Sequence, residues 1–240
     1  MLKLTCRRLL WNKLSRSKSN IPPELIHKFS PRDLERYERE QLILVDRDNK
    51  PVGRRNIVMC HLTPLIFPSS SIVDEGTLHR AFSVMLFDRD WRLLLQRRAP
   101  TKPVFARHWA NSCCSHPLQS VPGESDEDGH IGIKRAAVRR VMQELGLKIE
   151  INDVRVKELL LYKAMFDPTF SEHEMDYLLM VKLDRELKEV PYNPNEMNQV
   201  MWVRPGELES TLVSLRSKGE LIAPWFELIV KRGLADWWTQ

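Results

Sequence analysis

The stretch "GESDEDGHIGIKRAAVRRVMQELGL", residues 123–147, decides the fold of this chain. An acidic, glycine-bearing loop leads into a helical run in which apolar residues recur at helical spacing from Ala136 to Leu145. Gly146 follows this run and predicts its end, because glycine readily takes the left-handed conformation that terminates helices. The stretch therefore predicts one long amphipathic helix.

Strand patterns lie on both sides of this helix. Before it, "LHRAFSVMLFD" (78–88) and "RLLLQRR" (92–98) are joined by a turn, which predicts a hairpin. After it, strands are predicted at 157–166, 174–183 and 199–205, followed by terminal helices within 205–220 and 224–238. This order predicts the α/β class, with an α/β/α sandwich around a mixed sheet.

The region before the first hairpin combines a helix, a strand and a loop. "SPRDLERYEREQ" (30–41) predicts a short helix that runs into a strand at residue 42, and "DRDNKPVG" (46–53) predicts the turn after that strand. "PLIFPSSSIVDEG" (64–76) lacks a period and predicts a loop. The length of 240 residues and the 42% hydrophobic content fit a single domain.

Residues 1–22 carry a different signal, because they are basic and contain no acid before Glu24. Such a segment, rich in Arg, Leu and Ser, is typical of a mitochondrial presequence, while a basic tail on a cytoplasmic protein is the alternative. No stretch approaches the roughly 20 apolar residues of a membrane span. No basic stripe with interleaved aromatics continues into the body, so a nucleic-acid partner is not predicted. The basic residues of the segment are Lys3, Arg7, Arg8, Lys13, Arg16 and Lys18.

The cysteines are too few and too unevenly spaced for a disulfide framework, which favours reduced thiols. Two of them are adjacent in "NSCCSHPL" (111–118). If this stretch is extended, Cys114 and His116 share a face, and Cys113 on the other face is expected to pack as a small apolar residue. A zinc site would need a second pair of Cys or His ligands, and the sequence offers none.

Paired carboxylates occur in "SEHEMDY" (171–177), where Glu172 and Glu174 alternate in a predicted strand and point to one face. Two such carboxylates repel each other in a buried site unless a cation or a shared proton relieves them. A solvent-facing pair is the alternative. Glu144 near the end of the long helix could be a magnesium ligand or a solvated helix carboxylate.

The helix resembles the Nudix box, although most of that box's acids are missing, which disfavours a hydrolase. With "CHL" (60–62), "LLLQRR" (93–98), "NSCCSHPL", "KRAAVRRVMQELG" (134–146), "LLYKA" (160–164), "EHEMDYLL" (172–179) and "APWF" (223–226), the chain resembles the type I isopentenyl-diphosphate isomerases of the Nudix superfamily. The resemblance runs from about residue 35 to the end. It implies one Nudix-like isomerase domain over residues 35–240.

The resemblance also implies a set of site residues. A divalent metal site, holding zinc, manganese or magnesium, would be formed by His61, His79, His116, Glu172 and Glu174. Glu144 would bind a second ion, Mg²⁺, together with the diphosphate. Cys114 and Glu174 would be the acid/base pair, with Tyr162 relaying or orienting the proton of Glu174. Substrate would be bound by Arg98, Lys102, Ser115, Arg140 and Trp225, the last shielding a carbocation.

The implied reaction interconverts isopentenyl and dimethylallyl diphosphate in isoprenoid biosynthesis, through a tertiary carbocation. The partner is then a small prenyl diphosphate, and the chain is expected to be a monomer or a weak dimer. Two alternatives remain open at this point. One is a catalytically weak Nudix-fold protein that binds prenyl diphosphates, and the other is a nucleoside-diphosphate hydrolase.

Departures from the family pattern concentrate at the anion-binding end. Residues 57–59 are Ile-Val-Met where the family places a lysine before the first metal histidine, and Arg54, Arg55 or Arg80 could replace it. The loop between His61 and His79 is longer than expected, and Arg107 in "FARHW" is bulkier than the family's residue. These changes predict retained chemistry with an altered affinity or substrate scope, and a homologue with longer alkyl groups could be the preferred substrate.

Overall fold

The computed structural model describes residues 21–63 and 77–238. The predicted loop at 64–76 and residues 1–20 of the predicted presequence lie outside the described residues. The α-helices are α1 (Pro31–Arg39), α2 (Ile57–Cys60), α3 (Ile131–Leu145), α4 (Leu208–Ser217) and α5 (Pro224–Lys231). The strands are β1 (Gln41–Val45), β2 (Pro51–Asn56), β3 (His79–Phe87), β4 (Leu93–Arg98), β5 (Trp109–Ala110), β6 (Cys113–Ser115), β7 (Val154–Met165), β8 (Ser171–Lys182) and β9 (Met197–Val203).

Strand β3 is the centre of one mixed sheet. It pairs in parallel with β8, with His79 opposite Glu174, and β8 pairs antiparallel with β7. Along its other edge β3 contacts β1, then β6, then β4, and β9 extends the sheet beyond β4. All residues of β3 are buried, as expected for a strand covered on both faces.

The side chains on the two faces of β3 pack in two separate hydrophobic clusters. Val84 and Leu86 pack in the cluster that contains the apolar face of α3, whereas Met85 and Phe87 pack in the cluster that contains residues of α4 and α5. This alternation follows from the two-residue period of a strand. The predicted α/β/α sandwich around a mixed sheet is therefore confirmed.

Helix α3 has the extent that the sequence predicts. It ends at Gly146, which has a φ of 63° and whose N–H donates to Met142 O. Gly132 in its first turn lies against the acidic loop, where an added Cβ would come within 2.4 Å of Glu124 O. The absence of a side chain at residue 132 thus lets the loop and the helix approach closely.

Two parts of the predicted secondary structure differ from the structure. The predicted hairpin pairs only at Phe87 and Leu93, because the rest of this edge of β3 pairs with β1 and β6 and the rest of β4 pairs with β5 and β9. The turn predicted over 46–53 is shorter, because β2 begins at Pro51 and pairs antiparallel with β1. The polar, exposed sequence of β2 lacks the alternation of a half-buried strand, since β2 is an edge strand paired with β1. Pro51 is tolerated at the first position of an edge strand.

The chain before β1 packs over the start of the sheet. Leu25, Leu34 and Tyr37 are buried in one cluster with Val58 and Phe170. Ser30 caps α1 by accepting a hydrogen bond from Asp33 N at 3.1 Å. No helix in the described part of the chain is long and apolar enough to cross a bilayer.

Candidate active site

Three imidazoles and one carboxylate converge at the beginning of β3. The ring centroids of His61, His79 and His116 lie 4.9 to 5.2 Å apart. One ligand-type atom from each of these histidines and from Glu174 lies within 4.8 Å of the others. Four of the five sequence-predicted ligands thus converge, from the residue after α2, from β3, from β8 and from the segment after β6.

Backbone carbonyls hold two of these rings in one orientation. His61 Nδ1 lies 2.7 Å from Ile57 O, and His79 Nδ1 lies 2.8 Å from Thr77 O. Each Nδ1 therefore carries the proton, and each Nε2 offers a lone pair to the cluster. His79 Nε2 is buried and has no hydrogen-bond partner in the described part of the chain. This donor set fits a borderline divalent ion.

The charges of the cluster are set by its burial. Burial, followed by the neighbouring His79 and His116, lowers the pKa of His61 to about 3, so His61 is neutral at pH 7. Burial acts to raise the pKa of Glu174, but the hydrogen bond from His116 and the nearby His79 ring outweigh it and hold that pKa below its usual range. His116 Nε2 donates to Glu174 Oε1 at 2.9 Å. Glu174 is therefore ionised.

Glu172 and Tyr162 lie beside this cluster without joining the converging set. Tyr162 on β7 is directly opposite Glu174 on β8. Glu172 and Glu174 line one pocket, which is also lined by Cys114 and Trp225. Burial and the charge of Glu174 raise the pKa of Glu172 well above its usual range, so its protonated form is favoured. Burial and Glu172 likewise raise the pKa of Tyr162. Glu172 Oε2 and the Tyr162 hydroxyl have no hydrogen-bond partner among the described residues.

The Cys114 thiol is held by side chains on the other side of β3. Cys114 Sγ donates to Asn111 Oδ1 at 3.0 Å, and Trp225 Nε1 lies 3.1 Å from the same sulfur. Ser83, paired with Cys114 across the sheet, lies 3.7 Å from it and donates to Asp176 Oδ2 at 2.9 Å. Burial, with Asp176 next, raises the pKa of the Cys114 thiol, so the group is a protonated thiol at neutral pH.

The two neighbouring cysteines of "NSCCSHPL" have different surroundings. Cys113 is fully buried in the cluster that contains α3, while Cys114 and Ser115 line the pocket. Packing of Cys113, as the sequence predicts, is confirmed. Cys60, Cys113 and Cys114 are free thiols.

Cationic side chains line the end of the pocket next to α1 and α3. Lys102 Nζ lies 2.7 Å from Glu196 Oε2, and burial lowers the pKa of Lys102 despite this carboxylate. Arg140 Nη2 lies 3.6 Å from Glu196 Oε1. Arg98 donates to two backbone carbonyls and stacks 5.3 Å from the centroid of the Trp225 ring. The predicted diphosphate-binding cations are thus gathered at one end of the pocket.

Glu144 lies apart from the histidine cluster. It is buried on the inner face of α3, and its Oε1 accepts a hydrogen bond from Arg140 Nε at 3.0 Å. The residues four apart on one helix form an ion pair at the cationic end. The ion pair with Arg140 thus places Glu144 next to the end of the pocket that is predicted to bind anions.

The residues suggested as replacements for the family's lysine lie elsewhere. Arg80 donates to Asn49 and forms an ion pair with Glu127, and Arg55 donates to Thr77. Arg54 and Arg107 are exposed. In the described part of the chain, none of these side chains lines the pocket.

Sequence reasoning missed several residues of the site. Glu196 and Arg36 lie 160 positions apart and meet at the cationic end, with Nη1 and Oε1 3.2 Å apart. Asn111 joins Cys114 to Trp225, and Ser83 joins Cys114 to Asp176. Asn111 is the first residue of the motif "NSCCSHPL", so its position in the sequence could have identified it as a site residue. The pattern around Arg36 is typical of a solvated helix and gave none.

Comparison with known proteins agrees with this geometry. A NUDIX domain model matches residues 77–226. The chain is 40% identical over 203 residues to Isopentenyl-diphosphate Delta-isomerase 1 of Mesocricetus auratus, with 83% of this chain and 84% of that protein covered. It is also 38% identical over 228 residues to an isopentenyl-diphosphate delta-isomerase of Aspergillus fumigatus, covering 86% and 77%. For Isopentenyl-diphosphate Delta-isomerase II, chloroplastic, of Arabidopsis thaliana, the identity is 40% over 207 residues, covering 83% and 68%. The chain therefore belongs to the isopentenyl-diphosphate Delta-isomerase family, within the Nudix superfamily.

Proposed function

We propose that this chain is an isopentenyl-diphosphate Delta-isomerase, which interconverts isopentenyl and dimethylallyl diphosphate. The observation that carries the proposal is the pairing of a protonated thiol, Cys114, with an ionised carboxylate, Glu174, in one pocket. The two groups come from β6 and β8, the strands on either side of β3. An allylic shift of a double bond needs one group that gives a proton and another that takes one.

The histidine cluster supports a resident divalent ion, held by His61, His79, His116, Glu172 and Glu174. When bound, such an ion supplies positive charge that stabilises the paired carboxylates and tunes the proton affinity of Glu174. This set of imidazole and carboxylate ligands fits zinc, manganese and magnesium alike. Mg²⁺ bound with the diphosphate would be held at Glu144, since hard cations prefer oxygen ligands. An ion bound at His116 Nε2 would replace the hydrogen bond from that atom to Glu174, with the ring proton of His116 then on Nδ1.

The proposed proton chemistry uses groups that the fold already orients. We assign to Cys114 the proton that the alkene receives: burial raises the pKa of the thiol and keeps the proton on sulfur, and Asn111 fixes the thiol direction. Glu174 takes the proton from the other side of the allylic unit, with Tyr162 opposite it across β7 and β8. The Trp225 face shields the cation from water and stabilises it through its quadrupole, worth about 2 kcal/mol when desolvated. Arg98, Lys102, Ser115 and Arg140 bind the diphosphate end.

The test is turnover of isopentenyl diphosphate with added magnesium and zinc. Cys114→Ala and Glu174→Gln are each expected to lower kcat by about 10²-fold or more, because each removes one proton-handling group. Cys113→Ala is the matched control, since it makes the same change one residue away in the core, and it should leave kcat within about twofold. A parent that releases phosphate would support a hydrolase instead. A parent that only binds prenyl diphosphates would support a binding protein.

The substrate scope is a separate proposal, based on the departures at the anion-binding end and in the loop before His79. We expect a homologue of isopentenyl diphosphate with a longer alkyl group to be accepted as well as, or better than, the five-carbon compound. Comparison of kcat/KM for the two diphosphates tests this expectation. A higher kcat/KM for isopentenyl diphosphate than for the longer homologue would contradict this proposal.

We further propose that residues 1–22 direct the chain to mitochondria, where it works as a monomer or weak dimer. The support is the basic, acid-free composition of this segment. A reporter fused behind residues 1–22 should accumulate in mitochondria. Changing Arg7 and Arg8 to Glu should abolish that accumulation, and cytoplasmic location of both reporters would contradict the proposal.

A further inference from the structure

The cationic end of the pocket contains a carboxylate that is shared by cations from separate parts of the chain. Glu196, just before β9, lies 3.2 Å from Arg36 Nη1, 2.7 Å from Lys102 Nζ and 3.6 Å from Arg140 Nη2. Arg140 has Glu144 as a second partner, whereas Lys102 has only Glu196 among the ion pairs of the described residues. Among the ion pairs of the described residues, Glu196 is therefore the carboxylate that these three cations share.

Arg36 has spare hydrogen-bonding capacity at this point. It lines the pocket from α1, and its guanidinium stacks 4.7 Å from the centroid of the Tyr37 ring, which fixes the direction of the side chain. Its Nε is buried and has no hydrogen-bond partner within the described ranges. The nearest carboxylates on its own helix are too distant for hydrogen bonds, with Asp33 at 3.7 Å and Glu40 at 4.0 Å.

We propose that Arg36 binds the diphosphate of the substrate and that Glu196 holds Arg36 in place before the substrate enters. The planar guanidinium offers parallel N–H donors that match phosphate oxygens, and a diphosphate carries more negative charge than one carboxylate. Glu196 thus acts as an internal anion around which the cations of α1, α3 and the segment after β4 are already assembled. This inference rests on the proposed function and adds a residue to its substrate site.

The competing explanation is that Arg36 only anchors α1 to the domain through Glu196 and Tyr37. The two explanations differ in what the removal of the guanidinium changes. A purely structural arginine affects the stability of the folded chain and leaves the affinity of the folded site for anions unaltered. A ligand-binding arginine weakens the affinity for diphosphates even where the melting temperature is unchanged.

The test is isothermal titration calorimetry of the full chain with magnesium pyrophosphate and with isopentenyl diphosphate. Arg36→Gln should weaken binding of both ligands by about tenfold, the loss expected for one charge-assisted phosphate contact, and should raise KM with kcat nearly unchanged. Arg39→Gln is the matched control: it removes the same charge from the same helix, but its ion pair with Glu35 is exposed on both sides. It should leave the affinity unchanged.

Arg36→Lys separates charge from geometry and covers the case in which the glutamine variant does not fold. Lysine keeps the positive charge but lacks the paired N–H donors of the planar guanidinium. The variant should therefore weaken binding by about threefold with an unchanged melting temperature. The proposal is overturned if folded Arg36→Gln binds pyrophosphate like Arg39→Gln, or, where Arg36→Gln is unfolded, if Arg36→Lys binds like the parent. An inactive parent that still shows the expected affinity pattern would refute the isomerase proposal alone. An active parent with unaltered Arg36→Gln binding would refute this inference alone.

Discussion

His61 illustrates how single residues are prepared for metal binding. Its Nδ1 is bound by the Ile57 carbonyl, and its Nε2 lies 3.9 Å from Glu174 Oε1. Because burial keeps the ring neutral, the lone pair is available at pH 7 without prior loss of a proton. The same neutrality makes the metal-free protein sensitive to acid.

The folded state of the metal-free protein should lose stability as the pH falls. His61 has a pKa of about 3 when folded and an ordinary value of 6.5 when unfolded, so the unfolded chain binds the proton first. Its contribution is therefore complete above pH 6.5, declines as the pH falls from 6.5 towards 3, and has dropped by about 2 kcal/mol at pH 5. Urea unfolding after chelation at pH 7.5 and pH 5 measures this loss. An equal loss in His61→Gln would show that another group is responsible.

At the scale of elements, α3 connects the acidic loop to the histidine cluster. Arg139 donates to the Glu124 carboxylate, and its Nη2 also donates to His116 O at 3.3 Å. Glu124 Oε2 in turn accepts from Leu118 N at 2.9 Å. Arg139 of α3 thus holds the segment that carries His116, both directly and through the Glu124 carboxylate.

A methyl group at the start of α3 should disturb this arrangement. In Gly132→Ala the new Cβ would lie 2.4 Å from Glu124 O and 2.6 Å from Asp126 O, both of which are backbone atoms. We expect a loss of about 1–3 kcal/mol in the free energy of unfolding, together with weaker metal binding. Gly53→Ala is the control, because its Cβ would meet only Leu44 Cδ1 at 3.8 Å. Equal stability of the two variants in urea would contradict the close contact.

The sequence predicted the elements with strong periods and the residues in recognisable motifs. Helix α3 and strands β3 and β8 follow directly from their apolar patterns, and the histidine cluster from the family motifs. Edge strand β2 was missed because solvent, and not a core, determines its residues. Glu196 was missed because its partners are distant in sequence, and no local pattern specifies which cations a buried carboxylate will meet.

At the scale of the whole molecule, the chain before β1 closes the pocket from one side. Phe29, Arg36 and Tyr37 line the pocket, and Tyr37 packs in the same cluster as Val58 and Phe170. This region therefore contributes both apolar burial and one wall of the site. Its apolar side chains are typical of a part of the domain and not of a tail.

Removal of residues 1–40 should destabilise the domain far more than removal of residues 1–20. The longer deletion takes away Ile21, Leu25, Leu34 and Tyr37, and burial of one such side chain stabilises by roughly 1.5–3 kcal/mol. It also removes Arg36 and should lower the affinity for pyrophosphate. Thermal unfolding of chains starting at residues 21 and 41 tests this. Equal melting temperatures would mean that the region does not belong to the folded domain.

In the proposed reaction, Cys114 and Glu174 handle separate protons at a single prenyl diphosphate. The most direct measurement is nuclear magnetic resonance of the products formed from isopentenyl diphosphate in heavy water. The parent should place solvent deuterium in both isomers. Cys114→Ala should place it in neither, because it lacks the group that protonates the alkene, and Glu174→Gln should form no dimethylallyl diphosphate, because it lacks the group that takes the second proton. Isomerisation without uptake of deuterium, or uptake that persists in the Cys114→Ala variant, would contradict the account.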